Sequence, residues 1–291
     1  MGCVRPRSTS AKPRKSLGLA LGLVKAKQGR VVAIVATNKP LATQHLATSS
    51  YRERPRVRIL AIESSDIGAS VAVLHDPMSA GGSELLVEVP TAMRSARGIH
   101  PAIDKLLGEA AVEPSQIDVV AVSIGPGSFT GLRVGITAAK VFAWATGARV
   151  VAVDTLQVIA RGVPVSSDPA TILHVVLDAQ RGDLFAGKFV VDSSGKLPQW
   201  KQLGETELLS GAVWLALLEK GQWVAGRGLT KIVKKLPEDV VLVEEQYWSP
   251  SALELGRLAW ERAQHEAFDD VWALAPRYLR LSAAEEKRGA S

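Results

Sequence analysis

A glycine-rich segment at residues 124–135, IGPGSFTGLRVG, lies between an apolar run typical of a buried strand and a run typical of a helix. Loops of this kind often hold phosphate, because backbone N–H groups and the positive end of the helix dipole converge at the helix N-terminus. The segment therefore predicts an anion or nucleotide site, whose candidate residues are Gly125, Gly127, Ser128, Thr130 and Gly131.

Two well-known phosphate-loop patterns fit this segment poorly. A Walker A loop ends in Gly-Lys-Ser or Gly-Lys-Thr, whereas Gly131 is followed by Leu132 and Arg133. A dinucleotide-binding loop opens its domain, but here the loop follows a strand meander and its third glycine comes one position late. What remains is a general anion site at the helix N-terminus.

A second candidate is the turn ESSDIG, residues 63–68, which follows the first apolar strand. Ser64, Ser65 and Asp66 could bind an anion, or a metal ion through water, and they could equally satisfy their own backbone as turn residues. Asp178 occupies the corresponding turn of the second half. That turn, DAQRGD, lacks the glycine placement expected beside a magnesium nucleotide and carries Arg181 instead.

The residues that usually carry metal or covalent chemistry are scattered along the chain. No two of the five histidines are four positions apart, and no serine lies in a Gly-x-Ser-x-Gly pattern. We therefore assign no catalytic residue and no metal ligand. Cys3 is the only cysteine, which excludes an internal disulfide and suits a reducing compartment such as the cytoplasm.

Two helices of different character are predicted. Residues 98–110 place apolar side chains on one face at helical spacing, with His100, Asp104 and Glu109 turned outward. Residues 131–146 are apolar on nearly all sides and include several small residues. Such a helix is either a central core helix, or one that packs internally on one face and meets a partner subunit on the other.

The order of elements indicates the fold class. From residue 57 a three-strand meander is followed by alternating helix and strand, and near residue 172 a similar order begins again. Two packed units of βββαβαβα type form the α/β actin/Hsp70-like architecture (ASKHA, RNase H-like). We expect a first subdomain at residues 57–165, a second at 166–281 and a tail at 282–291.

The net charge of +6 belongs to the N-terminal segment, because residues 1–58 hold 13 of the 35 Lys and Arg residues and a single acid. The rest of the chain is acidic, so direct contact with a phosphate backbone is expected only from this segment or from a partner. The apolar run at residues 17–24 is too short to span a bilayer and lacks a clear cleavage site. We interpret residues 1–56 as a basic, disordered extension, or as the result of a start codon assigned too early.

Several stretches together closely resemble the TsaB (YeaZ) family of Gcp-like, peptidase M22-type proteins. They are ILAIESSDIGASVAVL, IGPGSFTGLRVGITAAKVFA, VVAVDTLQVIA, LDAQRGDLFAGKF and APRYLR. The resemblance covers roughly residues 57–281, and its most specific element runs from Gly125 to Arg133. It implies an actin/Hsp70-like subunit that is not itself catalytic.

The resemblance also implies partners. Such proteins form a heterodimer with the catalytic sister TsaD and work with the ATPase TsaE to attach threonylcarbamoyl to adenosine 37 of tRNA. ATP would then be used by the partner subunits, and this chain would contact tRNA only indirectly and would not bind a membrane. Whether the chain also forms a homodimer, and whether a nucleotide binds at the subunit junction, stays open. The implied pairing surface comprises the two helices above, through Ile99, Ile103, Leu106, Leu107, Arg133, Val134, Ala138, Ala139 and Phe142.

Two departures bear on this assignment. The first strand ends in Glu63-Ser64-Ser65, where the family commonly has Asp-Thr, and this leans toward the sister's Glu-Thr-Ser. The sister's iron-binding His-x-x-x-His helix is absent, however, since RSARGIHPAI contains only His100. The alternative function is a nucleotide-binding phosphotransferase or ATPase that uses the Ser64–Asp66 turn, the glycine loop and Asp178.

Overall fold

The computed structural model describes residues 32–34, 57–79, 81–90, 95–195 and 197–280. The first lobe contains β1 (Val32–Ile34), β2 (Arg58–Glu63), β3 (Ala69–His75), β4 (Ser83–Val89), α1 (Ser95–Ala110), β5 (Val119–Gly125), α2 (Phe129–Thr146), β6 (Arg149–Asp154) and α3 (Thr155–Gly162). Its strands form one sheet in the order β1-β4-β3-β2-β5-β6. The strand β1 falls within the segment that was expected to be disordered, and the remainder of residues 1–56 lies outside the described residues.

The second lobe contains β7 (Ile172–Asp178), β8 (Asp183–Asp192), β9 (Gln199–Ser210), α4 (Gly211–Ala216), β10 (Trp223–Ala225), β11 (Val241–Leu242) and α5 (Ala252–Ala263). Its sheet has the order β11-β10-β7-β8-β9. Apart from β1, the two sheets share one strand order and one set of directions: the first strand of a three-strand antiparallel meander pairs in parallel with a fourth strand, which pairs in parallel with a fifth.

The expected βββαβαβα order is therefore present in the first lobe and altered in the second. Between β10 and β11 the chain forms short 3₁₀ turns at residues 227–231 and 233–235 where a helix was expected. Gly228 lies within this segment and Pro237 follows it, and both residue types disfavour a regular helix. None of the helices in the described part of the chain combines the length and apolar composition needed to cross a bilayer.

Three apolar cores hold the lobes together. The helices α1 and α2 pack on one face of the first sheet, and α5 packs on its other face. Gly256 of α5 permits this, because a Cβ there would lie 2.2 Å from a methyl carbon of Leu74 on β3. The third core belongs to the second sheet and includes Leu156 and Ile159 of α3. Helix α3 contacts β7 of the second sheet and also α5, which packs on the first sheet, so these two helices join the lobes.

Candidate functional site

A cleft of about 820 Å³ lies between the two lobes. Its walls come from loops that follow parallel strands of both sheets, at residues 65–67, 126–132, 177–181 and 227–231, and residues 277–280 form the remaining side. Ligands of open α/β sheets bind in the crevice at the carboxyl ends of the strands. The cleft is therefore the candidate functional site.

The glycine loop lies directly against the turn between β2 and β3. The backbone N–H of Ser128 donates to the carbonyl oxygen of Ser65 at 2.7 Å, and the hydroxyl of Ser64 donates to the carbonyl oxygen of Gly131 at 2.8 Å. A Cβ at Gly127 would lie 2.2 Å from the carbonyl oxygen of Ser65, and one at Gly131 would lie 1.9 Å from that of Ser64. These glycines therefore allow two backbone segments to touch.

The predicted anion-binding residues divide into two groups. Ser65, Asp66, Gly127, Ser128 and Thr130 line the cleft, so the two loops do meet at one site as the sequence suggested. The others, Ser64, Gly125 and Gly131, lie outside its lining. The Ser64 hydroxyl is buried and bonded to the glycine loop, which favours the second of the two interpretations of this turn, a residue that satisfies the backbone. Anion binding by the lining residues stays a prediction.

Glu63, at the end of β2, is the buried anchor of the first turn. Its carboxylate accepts hydrogen bonds from the backbone N–H and the hydroxyl of Ser65, and from the hydroxyl of Ser123 on β5. Burial raises the pKa of the Glu63 carboxyl, although the hydrogen bonds from Ser123 and Ser65 oppose the shift. The carboxyl group thus fixes the turn from beneath and faces away from the cleft's solvent.

The helix α2 begins at the cleft with a side-chain cap. The Ser128 hydroxyl accepts a hydrogen bond from the backbone N–H of Gly131, and the Ser128 carbonyl accepts one from Leu132. The second of these is the first bond within the helix, so the cap itself uses one free N-terminal donor, the N–H of Gly131. The glycine loop works here as a helix start that packs on its neighbour.

Four cationic side chains of the cleft pair with carboxylates of the chain itself. The ion pairs are Arg227–Asp66 at 3.6 Å, Lys231–Asp178 at 2.5 Å, Arg280–Asp183 at 3.2 Å, and Arg277 with Asp154 at 3.3 Å and Glu205 at 2.9 Å. The Arg227–Asp66 pair joins the two lobes. An anion entering the cleft would have to compete with these carboxylates, which offsets much of the attraction of the cationic side chains.

Asp154 at the end of β6 has a structural role. It caps α3 by accepting from the backbone N–H of Leu156 at 2.8 Å, and it also accepts from the Thr206 hydroxyl and the Arg277 guanidinium. Burial raises the pKa of its carboxyl, and these hydrogen bonds and the nearby cation oppose the shift. In a dinucleotide-binding protein a carboxylate at this position would bind a ribose hydroxyl. Here the Asp154 carboxylate is used by contacts within the protein instead.

An aromatic and cationic stack lies at the mouth of the cleft. The rings of Phe129 and Tyr278 stack with centroids 4.8 Å apart, and the guanidinium of Arg133 lies 3.8 Å from the Phe129 centroid. The Arg133 Nε also donates to the Tyr278 hydroxyl at 2.8 Å. The first turn of α2 is thereby attached to the C-terminal segment.

Most of the predicted partner residues prove to be core residues. Ile99, Ile103, Leu106, Leu107, Ala138 and Ala139 are buried inside the first lobe. A side chain enclosed by its own chain cannot contact a partner, so this part of the predicted surface is wrong. Helical periodicity located the apolar stripes correctly, and the sheet of the same lobe covers them. Arg133 is exposed, and Val134 and Phe142 are half-buried.

The outward face of α2 is formed by other residues. Arg133, Thr137, Val141 and Trp144 are exposed at i, i+4, i+8 and i+11, which places them along one side of the helix. Val141 is 54% exposed and Trp144 is 70% exposed. Sequence reasoning missed this stripe because both sides of α2 are apolar.

Sequence reasoning also missed the cleft residues of the second lobe and the C-terminal segment. Gly226, with φ of 103°, packs its backbone against β7, since a Cβ there would lie 2.2 Å from the carbonyl oxygen of Val176. The Gly-Arg-Gly sequence at 226–228 follows β10 as the glycine loop follows β5, and that pairing was the available signal. Within the described residues, no group of three or more His, Cys, Asp or Glu side chains is arranged to hold a metal ion.

The duplicated strand order and the cleft between the lobes define an actin-like, RNase H-like α/β protein. A solved structure from Pseudomonas aeruginosa, described as an uncharacterized protein with similarity to peptidase YeaZ, has this fold. It matches with a TM-score of 0.63 and 24% identity, covering 77% of this chain and all of that one.

Sequence comparison defines the family. The Bacillus subtilis (strain 168) tRNA threonylcarbamoyladenosine biosynthesis protein TsaB is 30% identical over 79% of this chain and 96% of its own length. A family model described as "TsaD: tRNA N6-adenosine threonylcarbamoyltransferase" matches residues 90–197. A Streptococcus thermophilus (strain LMD-9) protein of that enzyme name is 36% identical over 33% of this chain and 32% of its own. The chain belongs to the TsaB family.

Proposed function

We propose that the chain is the non-catalytic partner subunit of the machinery that forms threonylcarbamoyladenosine in tRNA, and that it binds and activates the catalytic TsaD subunit. The name of the Bacillus subtilis relative supports the pathway, and the local match to the transferase model supports descent from a common ancestor with that enzyme. The TsaE ATPase completes the proposed set of partners, and the complex acts in the cytoplasm. In this proposal the chain acts on tRNA indirectly, as part of the complex.

One observation carries the non-catalytic part of the proposal. The backbone N–H of Ser128 and the hydroxyl of Ser64 are bonded across the two loops, and atoms of Ser64 and Ser65 fill the space beside Gly127 and Gly131. Loops in direct contact leave no gap for a phosphate between them. The alternative, a phosphotransferase or ATPase of its own, is therefore not favoured.

The proposed docking surface is the outward stripe of α2, comprising Arg133, Thr137, Val141 and Trp144. Exposed aromatic residues and arginine are the types that most often dominate binding energy at interfaces. Arg133 lies at one end of the stripe and Trp144 at the other, with Val141 between them. In this proposal the half-buried Val134 and Phe142 border the contact, while the buried residues of α1 and α2 support it from beneath.

The deciding experiment measures threonylcarbamoyladenosine in tRNA hydrolysates from cells with and without the gene. Depletion should remove the modified nucleoside, and re-expression of the full chain should restore it. Purified chain should also form a complex with TsaD. Unchanged modification after complete depletion would refute the proposal.

Calorimetry separates the alternative. Titration of magnesium ATP into the isolated chain should give no heat of binding, while the same titration into the assembled subunits should give one. Saturable binding by the isolated chain, lost on substitution of Asp178, would favour the phosphotransferase instead.

A further inference from the structure

The APRYLR motif, residues 275–280, has a role in the structure that the sequence did not reveal. After α5 the chain returns along the first lobe, where Asp269 pairs with Val150 beside β6 and Leu274 enters the core. It then crosses the mouth of the cleft to the second lobe. We name residues 277–280 the strap.

One end of the strap is bound to the first lobe. The backbone N–H of Arg277 donates to the carbonyl oxygen of Ile124 at 2.7 Å, directly before the glycine loop. The Tyr278 ring stacks on Phe129, and its hydroxyl accepts from Arg133. These contacts join the strap to the end of β5 and the start of α2.

The other end of the strap is bound to the second lobe. The Arg280 guanidinium donates to the carbonyl oxygens of Ala179 and Gln180, at 2.7 and 3.3 Å, and forms an ion pair with Asp183. Ala179 and Gln180 belong to the turn between β7 and β8 that lines the cleft, and Asp183 is the first residue of β8. Arg277 also pairs with Glu205 of β9.

The two kinds of connection between the lobes differ in character. At the back, α3 and α5 share a core through fully buried apolar side chains such as Val158 and Leu255, and Arg161 of α3 pairs with Glu261 of α5. At the front, the side chains of Arg277 and Arg280 are 34% and 23% exposed, and Tyr278 is 41% exposed. Leu279 adds an apolar contact at the edge of the second core, and it is only half-buried. Partly exposed contacts of this kind separate at less cost than fully buried apolar ones.

We propose that the strap is a releasable latch, which holds the lobes closed over the cleft and turns about the α3–α5 contact when it opens. Tyr278 and Arg280 are its positioning residues, one for each lobe. Because Tyr278 bonds to Arg133 and Phe129, the state of the latch also sets the orientation of the first turn of α2 relative to the second lobe. Closure of two lobes about a packed hinge is a common form of protein switching.

Distance measurement on the full chain tests the latch. Spin labels are placed at Ile67→Cys and Lys234→Cys, on opposite lobes, in a Cys3→Ser background, because Cys3 is the only native cysteine. The unsubstituted strap should give one narrow distance distribution. Tyr278→Ala with Arg280→Ala should broaden it toward longer distances, and Tyr278→Phe, which keeps the ring stack, should shift it least.

The control is Arg149→Ala, which removes a guanidinium from the face of Phe268, 5.0 Å away, within the first lobe alone. It should leave the distribution unchanged. If the double variant does not fold, Arg280→Gln decides, since it removes the charge and keeps an amide donor for the Ala179 carbonyl. A distribution that stays narrow when thermal stability falls would show the strap to be a static brace and overturn the latch.

Discussion

The hydroxyl oxygen of Ser64 lies 2.2 Å from the place where Gly135 would carry a β-carbon. Gly135 is two turns into α2, so the helix itself, and not only its loop, is packed against the turn after β2. The same hydroxyl is held by the carbonyl oxygen of Gly131 and cannot rotate away without losing that bond. Gly127, Gly131 and Gly135 thus all permit the same close contact, that of α2 and its preceding loop with the turn after β2.

Gly135→Ala should destabilise the protein by about 1–3 kcal/mol, because the added methyl group overpacks a site that is already filled. The matched control is Gly108→Ala in α1, where nothing lies within 4 Å of the added carbon. That substitution should stabilise the protein by up to about 1 kcal/mol through helix propensity. Urea unfolding measures both, and equal signs for the two variants would contradict the packing described.

Stability should fall in mild acid because of His174. Burial, and then the charge of Lys188, lower the pKa of this imidazole from 6.5 to about 4, while a hydrogen bond with Gln222 opposes the shift. The unfolded chain takes up the proton first, so the contribution of His174 is complete above pH 6.5 and is lost as pH falls toward 4. The loss should reach about 3 kcal/mol.

Unfolding in urea at a series of pH values measures this loss. His174→Phe keeps an aromatic ring without a titrating group and should remove the slope between pH 6.5 and 4. His100→Gln, on the exposed face of α1, should retain it. A slope that survives in His174→Phe would assign the effect to other groups.

Glu63 should have the opposite dependence on pH. Burial raises the pKa of its carboxyl above 4.5, so the folded state holds a proton that the unfolded state releases more readily. The contribution of the protonated group is complete below pH 4.5 and is lost as pH rises through the folded pKa. Glu63→Gln removes the titration, so its stability relative to the unsubstituted chain should increase with pH.

The measurement is again urea unfolding, from pH 4.5 upward. Glu109→Gln, on the exposed side of α1, is the matched control for the change from a carboxyl to an amide. If Glu63→Gln differs from the unsubstituted chain by a constant amount at every pH, the Glu63 carboxyl does not carry the raised pKa.

Charged substitutions on the two sides of α2 should have different effects. Ala139→Asp places a carboxylate in the first core and should cost more than about 3 kcal/mol of folding stability, since a buried charge without a partner is more costly than a neutral group. Trp144→Asp lies at the surface and should change stability by at most about 0.5 kcal/mol. It should nevertheless weaken binding to TsaD by at least about 2 kcal/mol.

Thermal unfolding and calorimetric titration with TsaD separate the two effects. Thr137→Asp, on the same stripe, tests whether the contact extends along the helix. Full binding by Trp144→Asp would remove the stripe from the proposed interface and leave α2 as a core helix.

The strands and the lobe order could be predicted from the sequence because their signals are local. The short apolar runs of β2, β3 and β5 are typical of buried strands, and the glycines after β5 mark its end. β9 is twelve residues long although Gly204, with φ of 75°, interrupts its pattern. Pairing along β8 decides its length, and pairing partners are not visible in a local pattern.

The site was harder to predict, because its residues are close only after folding. Ser65 and Ser128 meet across more than sixty residues, and Arg280 meets Ala179 across about a hundred. The sequence also could not show which side of α2 the sheet covers. Ala139 and Val141 are both apolar, and they differ only in that Ala139 is buried and Val141 is exposed.

The packing of α5 on the first sheet has a consequence for synthesis on the ribosome. The first sheet is translated well before residues 252–263, which cover its second face through Ala252, Leu255 and Ala259. Until α5 leaves the exit tunnel, that face of β2, β3 and β5 lacks its main covering helix, although Val158 of α3 packs in the same core. The nascent first lobe must therefore wait with an uncovered apolar surface, and it is at this stage that a chaperone would be most needed.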